Sequence, residues 1–324
     1  MKLLNNSVFH FLTGVLCCLM AAYVYISAND AKKVMDERPV VSSMTVTPEV
    51  PTSILFCGET IDLRRYNIRE GFDRELSSFT YFHSTTMLYF KRANRYFPII
   101  EPILKANGIP DDFKYLAVIE SQLDPRVTSP ARAVGMWQFL EGTGRQYGLT
   151  ITPTVDERCH VEKSTVAACK YLKEAYDKYG NWIDVACAYN GGMARITGEL
   201  EKQKADQALD LWLVEETSRY PYRIMAIKQL FENPYKYGFI FRARDLYKLI
   251  ECEEITVRSD IQDLAAFAKK YNMTYADLKR FNPWLRDRKL QTAGKTYKIK
   301  VPKEKEMYYN TPNAVVHNPA WVVR

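Results

Sequence analysis

The sequence predicts a mainly α fold followed by a small α+β module, and three observations predict it. Apolar residues recur at helical spacing across most of residues 60–250. Two short alternating runs, Glu254–Val257 and Tyr297–Val301, bracket a stretch with helix-capping residues. The 324 residues exceed what one small domain needs, and with 47% hydrophobic and 26% charged residues the chain has material for a full core.

Residues 1–28 read as a signal peptide or an N-terminal membrane anchor. Lys2 gives a positive start, Val8 to Ile26 is nearly uncharged apart from His10, and Ile26-Ser27-Ala28 ends in small residues. The apolar run is also long enough to stay in a membrane. Either way the chain is expected to be exported, to a periplasm or cell envelope. A lipidated Cys17 fits poorly, because the bulky Leu16 precedes it. Residues 29–58, with Pro39, Pro48 and Pro51, read as an extended linker.

The helical domain is expected over 59–250. Thr86 to Ala106 has a helical period and ends near Asn107-Gly108. Pro110-Asp111-Asp112 opens another helix with acidic residues at its positive end, and Asp124-Pro125 closes it. Lys163 to Tyr179 ends at Gly180; Asn181–Asn190 and Pro221–Phe231 complete the domain. Over 252–302 the order is strand, helix, helix, strand, with Asp260 and Thr274 expected as helix caps. Residues 303–324 lack a period and read as a tail or partial cover.

The net charge of +7 favours anionic partners. No Lys/Arg cluster with interleaved aromatics marks a nucleic-acid footprint, so the cell wall is the better partner for an exported chain. The 22 tyrosines suit contact with sugars and also plain cores. Beyond Ala28 stand Cys57, Cys159, Cys169, Cys187 and Cys252. The number is odd and no C-x-x-C spacing occurs, which argues against structural zinc. Cys159 and Cys169 are a candidate disulfide; buried free thiols are the alternative.

Glu120 is the most informative residue. It follows Phe113, Leu116 and Ala117 at helical spacing, which places a carboxylate in an apolar stripe. Burial raises a carboxyl pKa, and a protonated carboxylic acid can protonate a leaving oxygen in glycosidic cleavage. A structural glutamate paired with an arginine has the same signature, and periodicity alone favours that role. The neighbouring segments reverse the balance.

Those segments are Glu120-Ser121, then Ser129-Pro130-Ala131-Arg132-Ala133-Val134-Gly135-Met136-Trp137-Gln138, then Ala188-Tyr189-Asn190-Gly191-Gly192, then Glu216-Thr217-Ser218-Arg219-Tyr220. In order and spacing they resemble the lytic transglycosylases that share a fold with goose-type lysozyme, in particular the membrane-bound type D group. The resemblance covers roughly 60–250. It implies a lysozyme-like helical domain in which Glu120 is the general acid and then the base, acting on the β-1,4 bond between N-acetylmuramic acid and N-acetylglucosamine. Ser129 and Gln138 would bond near the reacting sugar, Tyr189 and Asn190 would position the acid and the N-acetyl group, and Tyr220 would line the cleft. Met136 and Trp137 read as core or cleft wall. The first three of these segments contain no second carboxylate, unlike the usual glycosidase pair; Asp124 reads as a turn residue. The resemblance therefore implies that the sugar's own 6-hydroxyl attacks, giving a 1,6-anhydro end without water, metal or cofactor. The alternatives are a goose-type hydrolase and a non-catalytic scaffold that only grips peptidoglycan.

Arg132 stands where that family has glycine. If the position needs a positive φ, arginine is strained there. Residues 254–301, with Asn282-Pro283 and Gly294 to Pro302, resemble a LysM domain, which implies binding to N-acetylglucosamine-containing chains near Asp260 and Ile261; a purely structural module is the alternative.

Overall fold

A computed structural model describes residues 19–25, 46–309 and 315–323. Residues 19–25 are helical, and the rest of the expected targeting segment lies outside the described residues. Among the described residues no helix is long and apolar enough to cross a membrane. The chain divides into two compact units, 1–47 and 48–324, and the second carries all the elements named below.

That unit begins inside the stretch expected to be a linker. Strands β1 (Ser53–Phe56) and β2 (Glu59–Asp62) form an antiparallel hairpin with Ser53 opposite Asp62. Cys57 and Gly58 both take positive φ, 52° and 88°, as a tight two-residue hairpin turn requires. Ile54 and Phe56 are buried in the main core, so the spacer ends before residue 53. Alternation of only two apolar residues is too short a signal to separate strand from linker.

The helical body comprises α1 (Tyr66–Tyr81), α2 (His83–Ala106), α3 (Lys114–Ser121), α4 (Glu141–Gln146), α5 (Val161–Tyr179), α6 (Trp182–Gly191), α7 (Met193–Gln203) and α8 (Glu215–Glu232). Helix α8 packs on α1, α3 and α6, while α2 packs on α5. Helix α2 buries Thr86, Tyr89, Phe90, Ala93, Phe97, Ile100 and Leu104, a helical stripe that explains its length despite Pro98 and Pro102. Phe90 stacks on Phe231 of α8, with centroids 4.0 Å apart. Helix α5 ends at Gly180 in the left-handed conformation, and Asn181 caps α6 by accepting the Asp184 N–H.

The C-terminal module consists of β3 (Cys252–Val257), α9 (Leu264–Lys270), α10 (Tyr275–Phe281) and β4 (Tyr297–Pro302). The strands are antiparallel, with Val257 opposite Tyr297. Thr274 and Asp277 form a capping box on α10. Asp260 does not cap a helix: Asp263 caps α9, and Asp260 accepts from the Thr292 N–H (2.8 Å) and hydroxyl (3.0 Å). Asp263 directly precedes the helix, where its carboxylate reaches the first free N–H groups; Asp260 is three residues too early. Buried Asn282 bonds the Leu278 and Lys300 carbonyls and the Lys300 N–H, which ties α10 to β4.

The module is joined firmly to the helical body. Val155 and Leu285 form an antiparallel bridge, and Val134, Val155 and Cys159 share one core with Trp284, Leu285 and Tyr297. Residues 315–323 cover the body: Trp321 is buried and its Nε1 donates to the Phe231 carbonyl (2.9 Å). Cys159 and Cys169 do not pair. Both are buried free thiols whose pKa burial pushes up to about 12.

Candidate active site

The site forms where α3 stops short. Gln122 and Leu123 both take φ of 56°, and their N–H groups turn back onto the carbonyls of Val118 (2.9 Å) and Ala117 (3.5 Å). The helix therefore ends at Ser121 rather than at Asp124-Pro125, and Glu120 sits in its last turn. Asp124 makes the following turn, as expected: it accepts from the Arg126 N–H (3.0 Å) and pairs with Arg126 and Arg92.

Tyr115 to Ile119 are all buried, and Glu120 is only partly exposed. Burial drives its pKa up to about 7, against the pull of the Tyr220 hydroxyl, which donates to Oε1, and of Arg223; Glu216 pushes it further up. The carboxyl can thus hold its proton near neutral pH, as a general acid requires. Tyr220 is buried, and burial together with Glu120 holds its own pKa well above the phenol range. Arg223 and Glu216, whose charges act on Glu120, line a groove of about 560 Å³ with Glu215 and Arg219.

Of the other expected residues, Tyr189 acts electrostatically with Glu120 and Tyr220, and Asn190 bonds the helix that carries Tyr220. Tyr189, in the last turns of α6, donates its hydroxyl to the Trp137 carbonyl (2.7 Å), next to Gln138. Asn190 accepts from the Thr217 hydroxyl (2.8 Å) and approaches Glu216 (3.4 Å), both on the helix that carries Tyr220. The loop from Thr128 to Phe139 carries Ser129 and Gln138. There the Ser129 Oγ accepts the Ala133 N–H (3.1 Å), and Gln138 Nε2 donates to the Gly135 (2.7 Å) and Val127 (3.2 Å) carbonyls. Both side chains thus secure the loop itself. Arg132 has φ of 62°, so the arginine does occupy a left-handed position. Met136 and Trp137 are buried wall, and the Trp137 Nε1 donates to Thr165 (2.9 Å).

Residues 97–211 match the transglycosylase SLT domain, and residues 253–305 match the soluble lytic transglycosylase C-terminal LysM-like domain. The membrane-bound lytic murein transglycosylase D of Escherichia coli K12 is 30% identical over 242 residues, 73% of this chain and 52% of that protein. The helical body therefore carries a transglycosylase SLT domain. It spans about half the length of the curated relatives it matches first. The membrane-bound lytic murein transglycosylase F of Klebsiella pneumoniae is 26% identical over 186 residues, 51% of this chain and 32% of that one. The crystal structure of the 70 kDa soluble lytic transglycosylase of E. coli aligns with a TM-score of 0.38 and 22% identity, over 44% of this chain and 24% of that one. The expected class, a lysozyme-like helical domain followed by a small LysM-like module, is the fold found.

The surroundings of Glu120 also include residues that sequence reasoning passed over. Buried Glu75 on α1 accepts from Arg219 (2.6 and 3.2 Å) and lies 4.0 Å from Arg223, which fixes the two arginines of the groove. It follows Ile68 and Phe72 and precedes Leu76 and Phe79, so it too is a carboxylate in an apolar stripe, and the rule that marked Glu120 could have found it. Buried Tyr171 supports α6 by donating to the Ala188 carbonyl (2.6 Å), and its ring meets Tyr189 edge-on. Thr217, which orients Asn190, sits inside a matched motif and carried no separate signal. Among the described residues no group of three His, Cys, Asp or Glu side chains converges as metal ligands.

Proposed function

We propose that this chain is a peptidoglycan lytic transglycosylase, with Glu120 as its single acid and base. The observation that carries this reading is Glu120 itself: a partly buried carboxyl with a pKa near 7, held by Tyr220 and acted on by the charges of Arg223 and Glu216. Protonated Glu120 gives its proton to the glycosidic oxygen as the bond from C1 of N-acetylmuramic acid breaks. The N-acetyl carbonyl of the same sugar stabilises the cationic centre. The 6-hydroxyl then attacks C1 and returns a proton to the Glu120 carboxylate, which closes the 1,6-anhydro ring and restores the acid. Atoms balance without water.

In this reading Asn190, oriented by Thr217, meets the N-acetyl group, and Tyr189 supports the wall opposite Tyr220. Ser129 and Gln138 shape the loop over the reacting sugar. The LysM-like module grips N-acetylglucosamine-containing chains, and the N-terminus tethers the enzyme in the cell envelope. Support comes from the SLT and LysM-like matches and from the relative named as membrane-bound.

Mass spectrometry of products from purified peptidoglycan tests the reading. Anhydromuropeptides are expected, and Glu120→Gln should reduce their formation by at least about 100-fold. Reducing-end products would assign a hydrolase instead. Pull-down on peptidoglycan without any soluble product would assign a scaffold.

A further inference from the structure

The loop that carries Ser129 and Gln138 is not one its local sequence favours. Arg132 (φ 62°), Gly135 (φ 87°) and Gln138 (φ 48°) all take left-handed conformations, and two of the three carry side chains. Something outside the loop must hold it. The Arg158 guanidinium does so at two points, donating to the Arg132 (3.3 Å) and Phe139 (3.1 Å) carbonyls. Arg158 is buried, and Asp156 aligns it in a two-pronged pair, with Nε to Oδ1 at 2.9 Å and Nη2 to Oδ2 at 2.8 Å.

Asp156 has a second cation. Arg286 of the C-terminal module donates Nη1 to the same Oδ2 (3.0 Å). Around that contact the module grips the segment by its backbone: the Asp156 N–H bonds the Trp284 carbonyl (2.8 Å) and the Arg286 N–H bonds the Thr154 carbonyl (3.0 Å). Val134, at the middle of the loop, is buried in the module's core cluster. Arg286, Asp156 and Arg132 line one groove of about 790 Å³ between loop and module.

We propose that the C-terminal module is a positioning element of the active site, in which Arg286, through Asp156 and Arg158, holds the loop of Ser129 and Gln138 in its working conformation. This goes beyond glycan binding by the module, and its effect on turnover rests on the transglycosylase reading. Arg286 is a positioning residue that touches neither sugar nor acid. Its side chain is half exposed, and its loss leaves the buried Asp156–Arg158 pair intact, so the fold should survive.

The test compares the full chain with Arg286→Ala, Arg286→Gln and Arg286→Lys. Turnover on purified peptidoglycan, pull-down on insoluble peptidoglycan, thermal unfolding and amide hydrogen exchange are measured. For Arg286→Ala, kcat should fall about three- to tenfold, with pull-down unchanged and the unfolding midpoint within about 3 °C. The hydrogen-bonded amides of Val134, Gly135, Gln138 and Phe139 should exchange faster. Arg286→Lys, which keeps the charge, should restore most of the rate. Arg286→Gln, which stays polar but is too short and uncharged to replace the guanidinium, should behave like the alanine variant and replaces it if that variant unfolds. Unchanged exchange, unchanged kcat, or a loss confined to pull-down each overturns the proposal. An inactive wild type would overturn the proposed function instead, and the exchange rates alone would then decide the coupling.

Discussion

Glu120 is held between two opposing influences: burial, which favours its neutral form, and Tyr220, whose hydrogen bond favours the carboxylate. Tyr220→Phe removes the second influence alone. The alkaline limb of the pH–kcat profile should move to higher pH, and kcat should fall by about tenfold as one charge-assisted bond is lost. The same carboxyl also costs stability. Its folded pKa of about 7 lies above the ordinary 4.5, so between those values the folded state binds more protons than the unfolded chain. Its contribution is fully present below about 4.5 and is lost as pH rises through 7. Glu120→Gln, which cannot ionise, should therefore be more stable than the parent at pH 8 by about 2 kcal/mol, after discounting for partial exposure, and no more stable at pH 4. Urea unfolding at the two pH values measures this. Equal effects at both would show that the acid is not held neutral by the fold.

At the scale of the element, the loop from Thr128 to Phe139 concentrates the strain. Gly135 has φ of 87°, and a Cβ there would stand 1.9 Å from the Arg158 carbonyl oxygen, part of the backbone. Gly135→Ala should cost more than about 4 kcal/mol or prevent folding, as judged by thermal unfolding and soluble yield. Arg132 is the converse case. Its side chain is exposed and its backbone is left-handed, so Arg132→Gly should raise stability by about 1 kcal/mol. If arginine stands there for its charge beside the groove shared with Arg286, the glycine variant will be more stable yet weaker on glycan. Helix α3 teaches a related lesson: two consecutive left-handed residues end it, and that abrupt stop puts the half-buried Glu120 in its last turn.

At the scale of the whole molecule, the chain is closed by its own far end. Trp321 sits edge-on to Phe90 and Phe231 and bonds the Phe231 carbonyl, and Asn94 of α2 takes the Val315 carbonyl and the His317 N–H. Trp321→Ala should lower stability by about 3–5 kcal/mol, read by denaturant unfolding, although it lies far along the chain from the acid. The helical body, the module and the closing segment therefore belong to one compact unit, and cutting the chain after residue 250 would uncover Val155 and Cys159 as well as Phe231.

What the sequence determined by itself was what repeats or stands in series: the helical period of α2, α5 and α8, the capped strand-helix-helix-strand order of the module, and the succession of motifs around Glu120. These are local patterns, written within a few turns of one element. The tertiary structure alone decided which inward-facing carboxylate is paired with arginine and which has its pKa raised by burial. Glu75 and Glu120 have the same periodic signature, yet Glu75 accepts from the Arg219 guanidinium, 144 residues away, and Glu120 accepts from the Tyr220 hydroxyl, 100 residues away. It also decided that residues 53–56 pair as a strand, that Asp260 bonds Thr292 instead of a helix end, and that Arg286 of the module pairs with Asp156 of the helical body. In each case the deciding partner is distant along the chain, and a charge or hydrogen bond acts on whatever folding brings within about 3 Å of it.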